Sequence, residues 1–460
     1  MVIPAVTNVL LVTIDSLRAD HVGCYGYERE TTPTIDALAA DGLSFDAFAN
    51  SNWTRASFPS IITSTYPLEY GGFEYLSDDR TTVGQAFDAA DYDTAAFHSN
   101  LWLSRDYNYD RGFDHFYDSK SNPGLLSRLR TAAKLRLDHD SVLYNVLQWL
   151  YDTTEEKAGI DVGQTYNDAE TMTDEVIDWL DGAQEPFFAW VHYMDVHHPY
   201  VPHEDALDSL DIDLNLNRRE AIQLRRKMLE STREITESER QQLLDLYDGE
   251  IRYTDEQIGR LVDAVEQRFD REETAYVVTS DHGEEFLEHG RFSHNHGMYD
   301  EVLKVPIVVN GADRVRGVEA RGHQSELVEL LDVAPTCCAL AGVSTPKSYR
   351  GRSLLEVAAS REDATVFSQS LLETESKISA RTQEWKFIWN RETEERELYD
   401  IETDPEESEN LVSERTGLVE EFESRVEEHL NSLRDTDEAL PKVEMDNETE
   451  DRLKNLGYLE

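Results

Sequence analysis

The chain has 460 residues and a formal net charge of −51, with 94 acidic against 43 basic side chains. That length supports a large buried core, read as one large α/β domain with an appendage, and the charge excludes nucleic acid as a partner because a polyphosphate would be repelled. Three cysteines, Cys24, Cys337 and Cys338, do not make a disulfide framework, and the adjacent pair is badly placed to bridge to itself.

A reduced compartment fits those thiols. The N-terminus has no basic segment, and its apolar run reaches Asp15 too soon for a signal peptide or membrane helix. The expected setting is therefore cytoplasmic, with no membrane partner; the sequence sets no oligomeric state. Arg strongly preferred to Lys, with Asp and Glu scattered through nearly every segment, gives a halophile-like composition. In molar salt the Debye length shrinks to about 3 Å, which screens the self-repulsion of such a surface. The charge then describes the surface and not the substrate.

In chain order, Asn8 to Ile14 is an aliphatic strand that ends in Asp15-Ser16 and leads into a Gly- and Tyr-rich loop, Gly23 to Tyr27. Pro33 to Ala40 has Pro near a helix start, helical apolar spacing and Gly42 behind it. Leu43 to Phe48 reads as a short strand. The hydroxyl-rich stretch Asn50 to Ser60, containing Thr54, Arg55 and Ser57, precedes Ile61-Ile62, where hydroxyls are ordinary helix caps. Thr94 to Asn100 is a core strand carrying His98 and Asn100 at its end, and Gly112-Phe113-Asp114 closes the next loop.

About residues 119–166 the pattern turns basic and then amphipathic, predicting a helical insertion. Tyr166 to Leu180 is expected to be a helix. Pro186 to Asp195 is a buried strand ending in an acid, continued by Val196-His197-His198-Pro199-Tyr200. Leu214 to Phe269 is long, charged and helical in period, read as a solvated scaffold. Val277-Val278-Thr279-Ser280 ends in Asp281-His282-Gly283, followed by His289, His294 and His296. Val305 to Val309 is a strand, and Glu326 to Ala341 is predicted as a helix stopped by Gly342. Beyond Leu355 short alternating runs predict a small antiparallel sheet covered by a helix from Leu418 to Leu433, before an acidic tail.

Two distant strands that each drop an Asp at the carboxyl edge of a sheet, one with a neighbouring imidazole, point to a shared divalent-metal site formed by Asp15, Asp281 and His282. The strand ending at Asp195 repeats the design with His197 and His198.

The ordered series of these segments resembles the sulfatase family of the alkaline phosphatase superfamily from Asn8 to about Leu411. It is carried by Asn8 to Asp15 with Asp20 to Gly26; Thr63 with Tyr66-Pro67; Gly112-Phe113-Asp114; His197 to Tyr200; and Thr279 to Glu284 with Glu288-His289-Gly290. Val305-Pro306, Asp332 to Thr336, Gly351 to Leu354, Glu397 to Asp400, Asp404-Pro405 and Asn410-Leu411 continue it. The resemblance implies an α/β fold, a large mixed β-sheet sandwiched between helices with a small C-terminal antiparallel α+β subdomain. The corresponding boundaries are a catalytic domain over residues 1–355, with helical insertions about 119–166 and 204–250, a four-stranded sheet plus helix over 356–435, and an acidic tail over 436–460.

The departures from the family pattern bear on chemistry. Sulfatases carry two acids after the first strand, where this chain has Asp15-Ser16; their formylglycine precursor position falls on Thr54, with Ala56 and Phe58 in place of the Pro and Arg. A substrate-contacting Lys falls on His296. A threonine nucleophile with an extra histidine resembles the phosphatase, phosphodiesterase and phosphoglycerol-transferase branches instead. The expected activity is metal-dependent hydrolysis of sulfate or phosphate esters, on a small-molecule or glycan substrate, through a covalent Thr54 intermediate. The alternative is a phospho-group transferase using the same intermediate; a further reading makes Thr54 a helix cap and gives the attack to Ser57 or to water on the metal.

Metal coordination lowers an alcohol's pKa as zinc takes bound water from 15.7 to about 7. Asp15, Asp281 and His282 would hold the ion, with Thr54 as an exchangeable ligand; zinc or manganese is favoured, calcium or magnesium is compatible. Charge spreading over the non-bridging oxygens calls for cations and donors around them, for which Arg55, His98, Asn100, His197 and His296 are candidates. A second ion would draw on Asp195 and His296, with His197 or His198 as alternatives, and His198 is otherwise a substrate contact. His289 and His294 read as surface or supporting residues.

Overall fold

This computed structural model describes residues 8–118, 166–294, 296–315, 318, 320–360, 364–372 and 375–443. Eight strands form one sheet: β1 (Asn8–Ile14), β2 (Leu43–Phe48), β3 (Asp93–Phe97), β4 (His115–Tyr117), β5 (Phe187–Tyr193), β6 (Thr274–Ser280), β7 (Lys304–Asn310) and β8 (Gly322–Glu329). Their order across the sheet is β4-β3-β5-β1-β6-β7-β2-β8. The pairings β4-β3-β5-β1-β6 are all parallel, whereas β7 runs antiparallel to both its neighbours.

The sequence of β1 explains its central place. All seven of its residues are buried, because alternate side chains face opposite ways and both faces of the sheet are covered. Val9 and Leu11 join one core, with Phe45, Phe58 and Trp190. Leu10, Val12 and Ile14 join the other, with Val191, Tyr247 and Val278. A fully buried side chain of this kind contributes about 1.5–3 kcal/mol relative to exposure.

The charged segment read as a solvated scaffold is two helices, Arg218–Glu230 and Glu237–Arg268. The longer starts at a capping box of Thr236 and Glu239, and buries Leu243, Leu246, Tyr247, Ile251, Ile258, Leu261 and Val265 at helical spacing against the sheet. It is a wall of the core, and only its outer face is solvated.

One expected element is corrected. The helix predicted from Glu326 is a strand up to Glu329, then a short turn, then the helix Val333–Ala341. Leu327 and Val328 pair with Asp46 and Ala47 of β2, so sheet pairing overrides a local apolar spacing that suits either structure. The helix expected from Tyr166 begins at Ala169, where Asp168 caps it. The expected insertion over 119–166 lies almost wholly outside the described residues, as does the tail beyond 443.

A second, four-stranded antiparallel sheet follows at the C-terminus: β9 (Val366–Leu372), β10 (Glu375–Arg381), β11 (Trp385–Asn390) and β12 (Glu395–Asp400). Phe387, Trp389 and Leu398 pack under Val419, Phe422 and Val426 of the helix Thr416–Ser432. Asn50 joins the two sheets just ahead of Thr54. Its Nδ2 donates to the Phe367 carbonyl at 2.9 Å, and its own carbonyl accepts from the Gln369 N–H at 2.7 Å.

Candidate active site

Parallel β1 and β6 are adjacent and end level with one another, Ile14 opposite Ser280, so Asp15 and Asp281 emerge side by side. The join is tied by Ser280, whose hydroxyl donates to the Ile14 carbonyl at 2.7 Å and accepts from the Leu17 N–H at 2.9 Å. Ser16 stands where the family pattern has a second acid. Its hydroxyl donates to Asp15 Oδ1 at 2.9 Å and its N–H to Asp281 Oδ1 at 3.2 Å, from a backbone with φ of 59°. A non-glycine residue in that region is held there by its surroundings.

Asp15, Asp281 and His282 are fully buried, and a ligand atom from each lies within 4.8 Å of the others. Burial opposes ionisation of both carboxyls. Around Asp15 the imidazoles of His197, His192 and His282 outweigh burial and hold the carboxyl well below its ordinary range. Asp281 is pushed well above it by burial and then by the Asp15 charge. Two carboxylates this close, away from water, hold a proton or a cation between them.

Thr54 opens the buried helix Thr54–Thr63, with Trp53 rather than Thr54 at the capping position. The Thr54 hydroxyl lies 3.3 Å from Asp15 Oδ2 and 3.2 Å from His282 Nε2. His282 Nδ1 donates to the Gly283 carbonyl at 2.9 Å, which leaves Nε2 as the lone pair facing Thr54. Ser57, one turn along, donates instead to the Ser51 carbonyl at 3.0 Å.

The sequence reading missed His294 as a site residue. Its ring sits 4.2 Å from that of His282, centroid to centroid, and its Nδ1 bonds Glu284 Oε1 at 3.1 Å. His197 likewise places Nδ1 at 2.5 Å from the His198 carbonyl, its ring 5.3 Å from that of His294. Imidazoles whose Nδ1–H is tied to an oxygen present Nε2 for a metal. Burial lowers His197, His282 and His294 alike to about 4, so all three are neutral near pH 7, as ligation requires. His192, next to last in β5, was also missed; its Nδ1 contacts Thr13 at 3.0 Å and its Nε2 approaches Asp15 Oδ2 at 3.5 Å.

The remaining predicted residues divide. His98, at the end of β3, stacks on Trp190 at 5.6 Å, and burial lowers it to about 3. Asn100 accepts from the Trp102 N–H at 3.0 Å. Arg55 turns away from the carboxylates: its guanidinium lies 4.1 Å from the Trp102 ring centre and donates to the Glu74 carbonyl at 2.9 Å. The guanidinium of Arg225 donates to His198 Nδ1 at 3.0 Å, so His198 turns its other nitrogen to Ser293 Oγ at 3.2 Å, and its acceptor is occupied. His296 is exposed, and Asp195 groups with His203 and Glu250 instead of with the first carboxylates. The structure thus separates the two residues expected to share a second ion, because the Asp195 carboxylate turns to the long helix while the His296 loop turns outward.

The donor set suits a divalent ion. Asp281 Oδ2 and His294 Nε2 are buried without a hydrogen-bond partner, and oxygen and imidazole donors together fit zinc or manganese. Among the described residues, no helix is long and apolar enough to cross a membrane.

Comparison with known proteins gives the family and supports the fold. The chain is 26% identical over 435 residues to "Uncharacterized sulfatase YidJ" of Escherichia coli (strain K12), covering 88% of this chain and 83% of that one. It is 24% identical over 455 residues to an arylsulfatase of Clostridium perfringens (strain 13 / Type A), covering 91% and 92%. A solved structure in complex with its substrate D-glucosamine-2-N,6-O-disulfate superposes with a TM-score of 0.71 at 19% identity, over 93% of this chain and 98% of that one. The phosphonate monoester hydrolase of Agrobacterium radiobacter superposes at 0.66 and 19% identity, over 92% and 96%. The N-sulphoglucosamine sulphohydrolase C-terminal family matches residues 287–436. The sulfatase family matches residues 7–343, and on that match the chain belongs to the sulfatase family, as a sulfatase-like ester hydrolase.

Proposed function

We propose that the chain hydrolyses sulfate or phosphate esters in two steps, with Thr54 as the nucleophile. The observation that carries this reading is the Thr54 hydroxyl at 3.3 Å from Asp15 and 3.2 Å from His282, at the N-terminus of a ten-residue helix. The sulfatase family uses a divalent metal, and Asp15, Asp281 and His282 are the residues that would hold it here. Bound there, the ion supplies a Lewis acid that lowers the pKa of a nearby alcohol and neutralises charge on the ester oxygens.

The chain's own residues supply the rest. The Thr54 hydroxyl proton has acceptors within reach in Asp15 Oδ2 and His282 Nε2, of which the neutral His282 imidazole is the more basic because the Asp15 carboxyl is held well below its ordinary range. Thr54 Oγ1 attacks the sulfur or phosphorus, the bond to the ester oxygen breaks, and the group rests on Thr54 until water removes it. Thr54 opens the helix Thr54–Thr63, and the positive end of that helix's dipole favours the anionic oxygens of the transferring group. His98, Asn100 and His197, which follow the ends of β3 and β5, are the proposed substrate contacts.

Turnover of p-nitrophenyl sulfate, phosphate and bis-phosphate, measured in molar salt after chelation and after return of zinc, manganese, magnesium or calcium separately, tests the reading. Phosphate or diester turnover restored by zinc or manganese is expected. Sulfate turnover restored by calcium, and retained in Thr54→Ala, would place the nucleophile elsewhere.

A further inference from the structure

We propose that Asp195, His203 and Glu250 form a second divalent-cation site, separate from the Asp15–Asp281–His282 group, that fastens the loop from Asp195 to His203 onto the long helix. The inference stands whether or not Thr54 is the nucleophile.

The three side chains come from three elements. Asp195 follows β5, His203 precedes the short helix Glu204–Ser209, and Glu250 projects from the middle of the helix Glu237–Arg268. A ligand atom from each lies within 4.8 Å of the others. Asp195 is 3% exposed and Glu250 1% exposed, so neither charge is solvated. Among the described residues, neither carboxylate forms an ion pair with a Lys or Arg.

The hydrogen bonds account for only part of the acceptor capacity. Asp195 Oδ1 accepts from the Ala169 N–H at 3.0 Å, while Asp195 Oδ2 is buried without a hydrogen-bond partner. Glu250 Oε1 accepts from the Val201 N–H at 2.6 Å, and Glu250 Oε2 contacts His203 Nε2 at 2.9 Å. The His203 ring is fixed by stacking on Tyr253, centroids 3.8 Å apart and 9° from parallel. With both carboxylates ionised, one imidazole leaves the group net negative, which a cation with mixed oxygen and nitrogen preference would offset. Burial, and then the neighbouring Glu250, push the Asp195 carboxyl well above its ordinary range, the direction expected for a carboxylate that lacks its cation. A cleft of about 290 Å³ lined by Glu170, His203, Tyr253 and Glu256 opens on the His203 side of the group.

The consequence reaches the active site through the chain. The loop bound at both ends by Asp195 and His203 carries His197 and His198, which pack against His294. An ion joining Asp195, His203 and Glu250 would fix those imidazoles from behind without touching substrate.

The test is calorimetric titration of chelated, full-length protein in molar salt with zinc and, separately, manganese. Wild type is expected to bind two equivalents and Asp281→Ala to keep one. Adding Glu250→Gln or Asp195→Asn to Asp281→Ala should weaken the remaining site by at least about 100-fold, beyond what a change outside the ligand set produces. Both substitutions are isosteric, and crystals grown with zinc give a second readout, an anomalous peak between the three side chains. No residual binding in Asp281→Ala, residual binding indifferent to Glu250→Gln and Asp195→Asn, or an anomalous map without that peak would overturn the proposal.

Discussion

Two buried charge clusters in this molecule are built in opposite ways. Lys386 on β11 lies between Asp300 and Glu407, its ammonium 2.7 and 2.8 Å from their carboxylates, and so fastens the C-terminal sheet to the main one. Asp15 and Asp281 are buried as deeply, yet what faces them is a threonine hydroxyl and a ring of neutral imidazoles. The first cluster carries its cation in the sequence and is a structural joint. The second lacks such a cation among the described residues and could hold an exchangeable one, on which its stability would then depend.

Substitutions should separate the two. Thr54→Ala is expected to reduce turnover by about 10⁴-fold or more, as loss of a nucleophile does, while the protein still binds its metal and melts as the wild type does. Asp281→Ala should abolish turnover and one equivalent of metal binding; in chelator its melting temperature should equal or exceed that of wild type, because a buried like charge has gone. Lys386→Ala should do the converse, costing about 3–5 kcal/mol in denaturant unfolding by stranding the buried Glu407 carboxylate, while Asp300 keeps Arg381 at 3.7 Å. Its active-site metal affinity, measured under folded conditions, should be unchanged.

The smallest effect is a pH dependence at the same junction. Burial alone would lower His289, but its bond to Glu301 at 2.7 Å raises it to about 9, and its other nitrogen reaches the Glu407 carbonyl at 3.3 Å. A histidine raised in the folded state stabilises fully below about pH 6.5 and loses that contribution as pH rises through 9. His289→Gln should therefore lower the melting temperature near pH 6 and leave it unchanged near pH 10. Equal shifts at both values would remove the charge from the account.

What the sequence disclosed follows from this contrast. Strands covered on both faces carry long apolar or β-branched runs, so Asn8 to Ile14 and Val277 to Ser280 announced themselves, and an acid directly after each marked the sheet edge where the carboxylates meet. Thr54 was reached by its spacing from Tyr66-Pro67 in a recognised series; composition alone would have left it a helix cap. His294 was not legible, because its place depends on Glu284 receiving its Nδ1–H across a loop. A buried His-Glu pair close behind an Asp-His is the signal that could have found it. Arg55 sits beside Thr54 in sequence, but aromatic rings from a distant segment, Trp102 and Tyr107, draw its guanidinium away. The strand at Leu327 was hidden because Leu330 and Leu331 extend its apolar residues into a helix-like spacing, and only its partner β2 decides between the two.

The most direct measurement is of the intermediate itself. Metal-loaded protein, mixed with the best p-nitrophenyl ester and quenched in acid during turnover, would be digested and mapped by mass spectrometry. The account predicts one added phosphoryl or sulfuryl group on the peptide containing Thr54, absent from Thr54→Ala. An unmodified Thr54 peptide during a demonstrated burst of product, or the added group on Ser57, would contradict it.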